Sequence, residues 1–329
     1  MSTNRGMSNN LGVVRFVARR LALGVLTLLI VSLVVFAATQ LLPSDPAQSI
    51  LGRNATEASV TSLRHELGLD QPKLTQYTKW LKGIVTGDPG RSYAAKVPIT
   101  SYISDRVVNS LFLLVLASIV SIPVSLWLGA HSARKRDKTF DNVASNVMLG
   151  LASVPEFVIG IILIILFSTR VWHILPAVTQ TDIGQGPWTN MTGMILPTVV
   201  LVLGAVPYIS RTARAAIIEV LESDYVEMAR LKGAPERIVL WRHAMPNSLG
   251  PVFQVIALNV AYFAGGVIVV EALFNYQGIG GALRDAVNTR DLPVIQFLVM
   301  SLAAVYVLTN IAADVATVLV TPRLRTRLQ

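Results

Sequence analysis

Six long apolar runs punctuate the chain, at approximately Leu21–Leu42, Val107–Ala130, Val147–Phe167, Met194–Ser210, Phe253–Leu273 and Val294–Val320. A helix needs about 20 apolar residues to cross the hydrocarbon core of a bilayer, so each run predicts a membrane helix. Lipid offers the backbone no hydrogen-bond partners, which makes helix the only spanning form open to such segments. The fourth run is the shortest and is interrupted by Pro197 and Pro207. Neighbouring helices or trapped water can satisfy the carbonyls those prolines free. Arg15, Arg19 and Arg20 before the first run give it the look of a secretory leader. Its apolar stretch exceeds the roughly 7–15 residues of a leader and more spans follow, so it is read as a retained helix. The expected layout is an N-terminal segment 1–20, a first span 21–42, a long polar loop 43–106, a core 107–320 and a tail 321–329.

The polar intervals between the runs carry the orientation. Arg134, Lys135, Arg136 and Lys138 follow the second run, and Arg323, Arg325 and Arg327 follow the last. The interval after the fourth run holds Arg211, Arg214, Arg230, Lys232, Arg237 and Arg242. The short intervals on the opposite side hold only Arg170, Arg284 and Arg290. Lys and Arg in short loops mark the cytoplasmic side, which puts both termini and the interval 211–252 in the cytoplasm.

Composition agrees with this pattern: 53% of the 329 residues are hydrophobic and 14% charged. A soluble domain averages about 25% charged. The net charge of +9 is concentrated at span ends, so it reads as topology and contact with anionic membrane lipids, without a nucleic-acid groove. The absence of Cys removes disulfides, thiolate metal sites and Cys nucleophiles, and the four His show no metal-ligand spacing. No Gly-Lys pair occurs, so the chain has no phosphate-cradling loop of the GxxxxGK[ST] kind and no catalytic site of its own is expected.

The cytoplasmic interval 211–252 contains DYVEMARLKGAPERIVLWRHAMP, residues 224–246, a charged island between greasy runs. Ile218, Leu221, Tyr225 and Met228 recur at helical spacing and predict one apolar stripe. Gly233 suits the left-handed conformation that ends a helix, with Arg230 and Lys232 in the last turn. Pro235 suits the first position of a second helix, Glu236 its first turn, and Pro246 its end. Two helices with a common apolar stripe form a surface able to enter a partner's groove.

Glu227-Met228-Ala229, then Gly233, then Met245-Pro246 resembles the EAA loop of ABC importer membrane subunits, with Met228, His243 and Met245 departing from its pattern. LLPSDPA, LGLDQP, GDPGRSY, SVPEF, EALFNYQGIGG and TPRLR, in that order, resemble the dipeptide/oligopeptide/nickel permease family over nearly the whole chain. The resemblance implies an all-α polytopic membrane protein of the type I importer permease fold, with six transmembrane helices, in a bacterial or archaeal plasma membrane. It implies four kinds of partner: a second homologous permease, two cytoplasmic ATPases that carry ATP and Mg, an extracytoplasmic substrate-binding protein, and membrane lipids. In that arrangement Asp224, Tyr225, Glu227, Met228, Ala229, Arg230, Lys232, Gly233 and Arg237 form the ATPase-coupling loop. Peptides are the implied cargo, with nickel chelates, glutathione, haem and oligosaccharides as the family's other substrates.

Two regions keep two readings each. The loop 43–106 shows amphipathic character at Glu57–Leu67 and in Leu74, Tyr77, Leu81 and Ile84. It is either a cap on the bundle or a receiving surface for the substrate-delivering protein. Glu156, Asn259, Glu271, Asn310 and Asp314 are polar groups within or beside the spans. Each is either an interhelical tie or a lining group of the pathway, and Glu156 lies close enough to a span end to reach interfacial water. Gly265 and Gly266 permit either close helix packing or a gate hinge. A receptor scaffold, or an ion-coupled transporter using Glu156, Glu271 or Asp314, are the rival functions.

Overall fold

The computed structural model describes residues 3–41, 46–52, 55–179 and 185–320, and the expected tail 321–329 with its TPRLR motif lies outside them. Among the described residues there are helices and one isolated bridge between Arg91 and Pro98. The first helix, α1 (Thr3–Gln40), starts well before the first apolar run. After α1 come α2 (Pro46–Leu51), α3 (Glu57–Glu66) and α4 (Lys73–Thr86). The core contains α5 (Ile99–Arg134), α6 (Thr139–Ser153), α7 (Glu156–Ile164), α8 (Met191–Leu221), α9 (Asp224–Leu231), α10 (Glu236–Ile238), α11 (Met245–Leu273), α12 (Ile279–Thr289) and α13 (Leu292–Val320).

Among the described residues, four stretches are long and apolar enough to cross a membrane, Arg15–Gln40, Ile99–Arg134, Pro187–Leu221 and Leu292–Val315. The expected third span is not one straight helix. It falls on the pair Thr139–Ser153 and Glu156–Thr169, bent by 99° at Val154-Pro155, the geometry of a broken span or a re-entrant loop. Proline has no N–H to donate and its ring disfavours helix in the residue before it, so Val154 adopts an extended conformation (φ −98°, ψ 126°). The expected fifth span lies within α11, where the surroundings of residues 260–262 and 264–266, including Gly265 and Gly266, are outside the description. Pro197 and Pro207 do not interrupt α8, which is continuous over 31 residues.

α5 and α8 form the densest pairing. Ala117, Ser121, Ser125, Gly129 and Ala133 recur every fourth residue of α5, and small side chains on one ridge let two backbones approach closely. A Cβ at Gly129 would stand 2.7 Å from the Ala213 Cβ and 2.8 Å from the Ser210 carbonyl oxygen, so only glycine fits there. Towards the α5 N-terminus the ridge gives way to a core of Leu113, Met194, Leu201, Phe263 and Phe274.

α1 runs antiparallel to α13. Arg20 pairs with Asp314 at 3.0 Å at one end, and Gln296 donates to the Thr39 hydroxyl at 2.6 Å near the other. Between them Gly24 faces Val307 and Ile311 too closely for a Cβ to fit without their moving. The α4 stripe differs from expectation at one position. Leu74 is exposed, while Tyr77 and Trp80 pack against Phe36 with ring centroids 5.4 and 5.8 Å apart. The Tyr77 hydroxyl and Ser32 share a 2.8 Å hydrogen bond, so α4 covers the C-terminal half of α1.

Candidate functional site

The charged island forms a compact helical turn assembly joined to the ends of α5 and α8. The Ser223 carbonyl accepts from Val226 and Glu227 N–H at 3.0 and 3.1 Å and starts α9, whose first turn holds Asp224 and Glu227. Those two carboxylates face the positive end of the helix dipole. The helix ends at Gly233 with φ +81°, where Gly233 N–H donates to Arg230 and Ala234 N–H to Ala229. A Cβ at Gly233 would touch nothing within 4 Å, so its requirement is conformational. Ala229 is half-buried beneath this turn.

Three details differ from the expected two-helix motif. Ile218, Leu221, Tyr225 and Met228 are not one stripe, because α8 ends at Leu221 and α9 begins at Asp224. Ile218 and Leu221 pack inward with Ala130, Ala133 and Ile217, whereas Tyr225 and Met228 are exposed and Val226 is the fully buried residue of α9. Pro235 stands just before α10, which is a single turn. Pro246 lies in the first turn of α11 and ends nothing. A π-helical turn, Val239–Ala244, carries the chain straight into that helix, and its first turn tolerates proline because those N–H groups have no intrahelical acceptor.

The loop's charges separate into ties and free groups. Arg230 donates to both oxygens of Glu236, at 2.7 and 3.3 Å, and to the Leu221 carbonyl at 3.3 Å. It therefore joins α8, α9 and α10 as a structural tie. The Tyr225 hydroxyl donates to the His243 carbonyl at 3.1 Å. Arg136 pairs with Glu222, joining the α5–α6 turn to the end of α8. Asp224, Glu227, Lys232 and Arg237 are exposed. Around them Tyr225, Met228, Leu231, Ile238 and Trp241 are exposed by 43–76%, while Val226, Val239, Leu240 and Ala244 underneath are buried. The result is an apolar surface with charges beside it on a firm base.

The polar groups of the spans do not converge on one site. Asp314 pairs with Arg20, and the Asn310 and Asn259 amides donate to carbonyls one turn back, Tyr306 and Val255, each at 2.9 Å. Glu271 is fully buried and accepts from the Ser110 hydroxyl and from Gly280 N–H at 2.7 Å. Ser110 in turn accepts from Ile279 N–H at 2.8 Å. A Cβ on Gly278 would overlap the Glu271 carboxyl, which explains the small residues of EALFNYQGIGG. Glu271 thus fastens α12 to α5 and α11. Glu156 stands apart: it opens α7 at the bend, its Oε1 is buried without a hydrogen-bond partner, and a Cβ on Gly204 of α8 would collide with it.

Two carboxylates that the sequence pattern did not single out do much of the joining. Asp141, 1% exposed, receives Arg214 Nε and Nη2 at 2.6 Å each and Asp137 N–H at 3.0 Å, binding α6 to α8. Asp291, between α12 and α13, accepts from the Ser92 hydroxyl and from Tyr93 and Ala94 N–H at 3.1 Å. It seats GDPGRSY, which follows α4, against the end of α12. Burial, and next to it the Asp291 carboxylate, push the Tyr93 phenol up. Both acids act across long sequence separations, which leave no local spacing signal.

A bundle of apolar helices, several long enough to cross a bilayer, is the architecture of a multi-pass membrane protein. The chain belongs to the binding-protein-dependent transport system inner membrane component family, whose model matches residues 121–326, and that family's N-terminal membrane component model matches residues 13–122. It is 36% identical to a probable peptide ABC transporter permease of Sinorhizobium fredii, covering 94% of this chain and 99% of that one. It is 35% identical to a putative peptide transport system permease of Brucella abortus, over 94% and 98% of the two chains. A glutathione transport system permease of Pectobacterium atrosepticum is 34% identical, over 94% and 98%. The chain is accordingly a peptide-type ABC importer permease, a multi-pass inner membrane protein with a transport role.

Proposed function

We propose that this chain is one of two membrane subunits that together enclose the pathway of an ATP-driven peptide importer. Six spans cross the membrane, with both termini and the loop 222–244 in the cytoplasm. Two ATPase subunits supply ATP and Mg, and an extracytoplasmic binding protein supplies the cargo. One observation carries the reading: Tyr225, Met228, Leu231, Ile238 and Trp241 are exposed in a charged loop whose underside is packed and tied. An exposed apolar patch on a firm base fits a partner surface. Motion of a docked ATPase would pass through Val226, Leu240 and the Arg230–Glu236 tie to α8, α11 and the end of α5.

Glutathione, itself a tripeptide, is a second cargo favoured by the glutathione permease relatives. Uptake into vesicles holding the full importer is expected to stop when internal ATP is removed and to survive collapse of the proton gradient. Glu227→Lys is expected to leave the chain inserted and abolish substrate-stimulated ATP hydrolysis. Normal coupling in that variant, or uptake that follows the proton gradient alone, refutes the reading.

A further inference from the structure

Among the described residues, three other carboxylates on or beside the long apolar helices have partners. Asp141 has Arg214, Asp314 has Arg20, and Glu271 has Ser110 and Gly280. Among the described residues, the buried Oε1 of Glu156 has no hydrogen-bond partner. An ionised group held out of water without a partner is costly, and in a membrane bundle such a group marks a place where a counter-charge arrives.

Glu156 opens a helical stretch that packs against the middle of α8. The helical stretch Glu156–Thr169 rises about 21 Å, against a hydrocarbon core of about 30 Å. Glu156 also lies against Gly204, near the middle of α8 and roughly 10 Å before its first arginine, Arg211. Gly204 makes room for the carboxyl, so the space it occupies is built in.

The bend explains access. Ser153, Val154 and Pro155 are exposed in the isolated chain, although they break a span. Irregular backbone at membrane depth is stable where it faces water or other protein and not where it faces lipid. Broken helices accordingly mark binding sites in transporters. Glu156 is the first residue after the break and only partly covered.

We propose that Glu156 is a cation-binding residue of the translocation pathway, which receives the ammonium group of the transported peptide as it passes the α6–α7 bend. This rests on the peptide-import reading above. A single fixed carboxylate against a passing ammonium gives attraction without selection among side chains, as a conduit for varied peptides requires.

The test uses the whole importer in proteoliposomes, with trialanine and glutathione as probes, since both carry a free ammonium group. Glu156→Gln keeps shape and removes charge, and is expected to lower uptake per ATP hydrolysed at least tenfold. Glu156→Asp is expected to restore a substantial part of it. In the wild-type complex, binding protein loaded with trialanine, together with a non-hydrolysable ATP analogue, is expected to slow carbodiimide modification of Glu156 read by mass spectrometry. Unchanged uptake per ATP in Glu156→Gln, or modification indifferent to trialanine, overturns the proposal. Loss of the second permease from the purified Glu156→Gln complex also overturns it, because Glu156 then holds a subunit. A wild-type complex that moves neither probe refutes peptide import itself, which separates that failure from failure of this site.

Discussion

Removing Asp141 tests how the bent span is held. Its two oxygens receive Arg214 at 2.6 Å, with 1% exposure for the Asp141 side chain and 28% for Arg214. Breaking a fully buried pair costs about 3–5 kcal/mol, but Arg214 can regain water, so about 2–3 kcal/mol is the fitting range. Asp137 N–H also loses its acceptor, which adds about 1 kcal/mol. For a chain of this size each kcal/mol shifts Tm by about 2 °C, so Asp141→Ala is expected to lower the apparent Tm by roughly 6–8 °C. Arg214→Ala is expected to cost more, because it strands the covered carboxylate. The double variant should recover about 2 kcal/mol relative to the sum of the singles. Size-exclusion of tagged protein after stepwise heating reads all three. Additive effects within about 0.5 kcal/mol would show a screened surface pair and refute the tie.

Gly233→Ala forces a Cβ into the left-handed region and is expected to cost about 1 kcal/mol with reduced ATPase co-purification; Gly233→Asn, which tolerates that region, should retain most of it. Asp291→Ala removes three hydrogen bonds from GDPGRSY and is expected to raise amide exchange at Tyr93 and Ala94 at least tenfold, measured by hydrogen–deuterium exchange, with unchanged exchange in α8.

The helices and their rough bounds were legible because lipid leaves an apolar run no other regular structure. Gly233 was legible for a related reason: after a charged helical turn, a glycine is the residue that can take φ +81°. Pro155 and Pro246 show the limit. A proline marks a boundary, but whether it bends a span, as at 155, or opens a helix, as at 246, depends on what the flanking chain packs against. Tyr225 and Met228 kept helical spacing to Ile218 and Leu221, yet two residues between α8 and α9 turned them outward. The partners of Asp141, Asp291 and Glu271 were invisible because each is chosen by tertiary packing.

The antiparallel pairing of α1 and α13 sets an order for making the protein. α1 carries Arg20, Gly24 and Thr39, whose contacts Asp314, Val307, Ile311 and Gln296 come far later in the chain, with 257 residues between Thr39 and Gln296. Until α13 arrives, α1 waits in lipid with an unmatched arginine and a notch at Gly24. Chains cut short before α13 therefore keep that notch open.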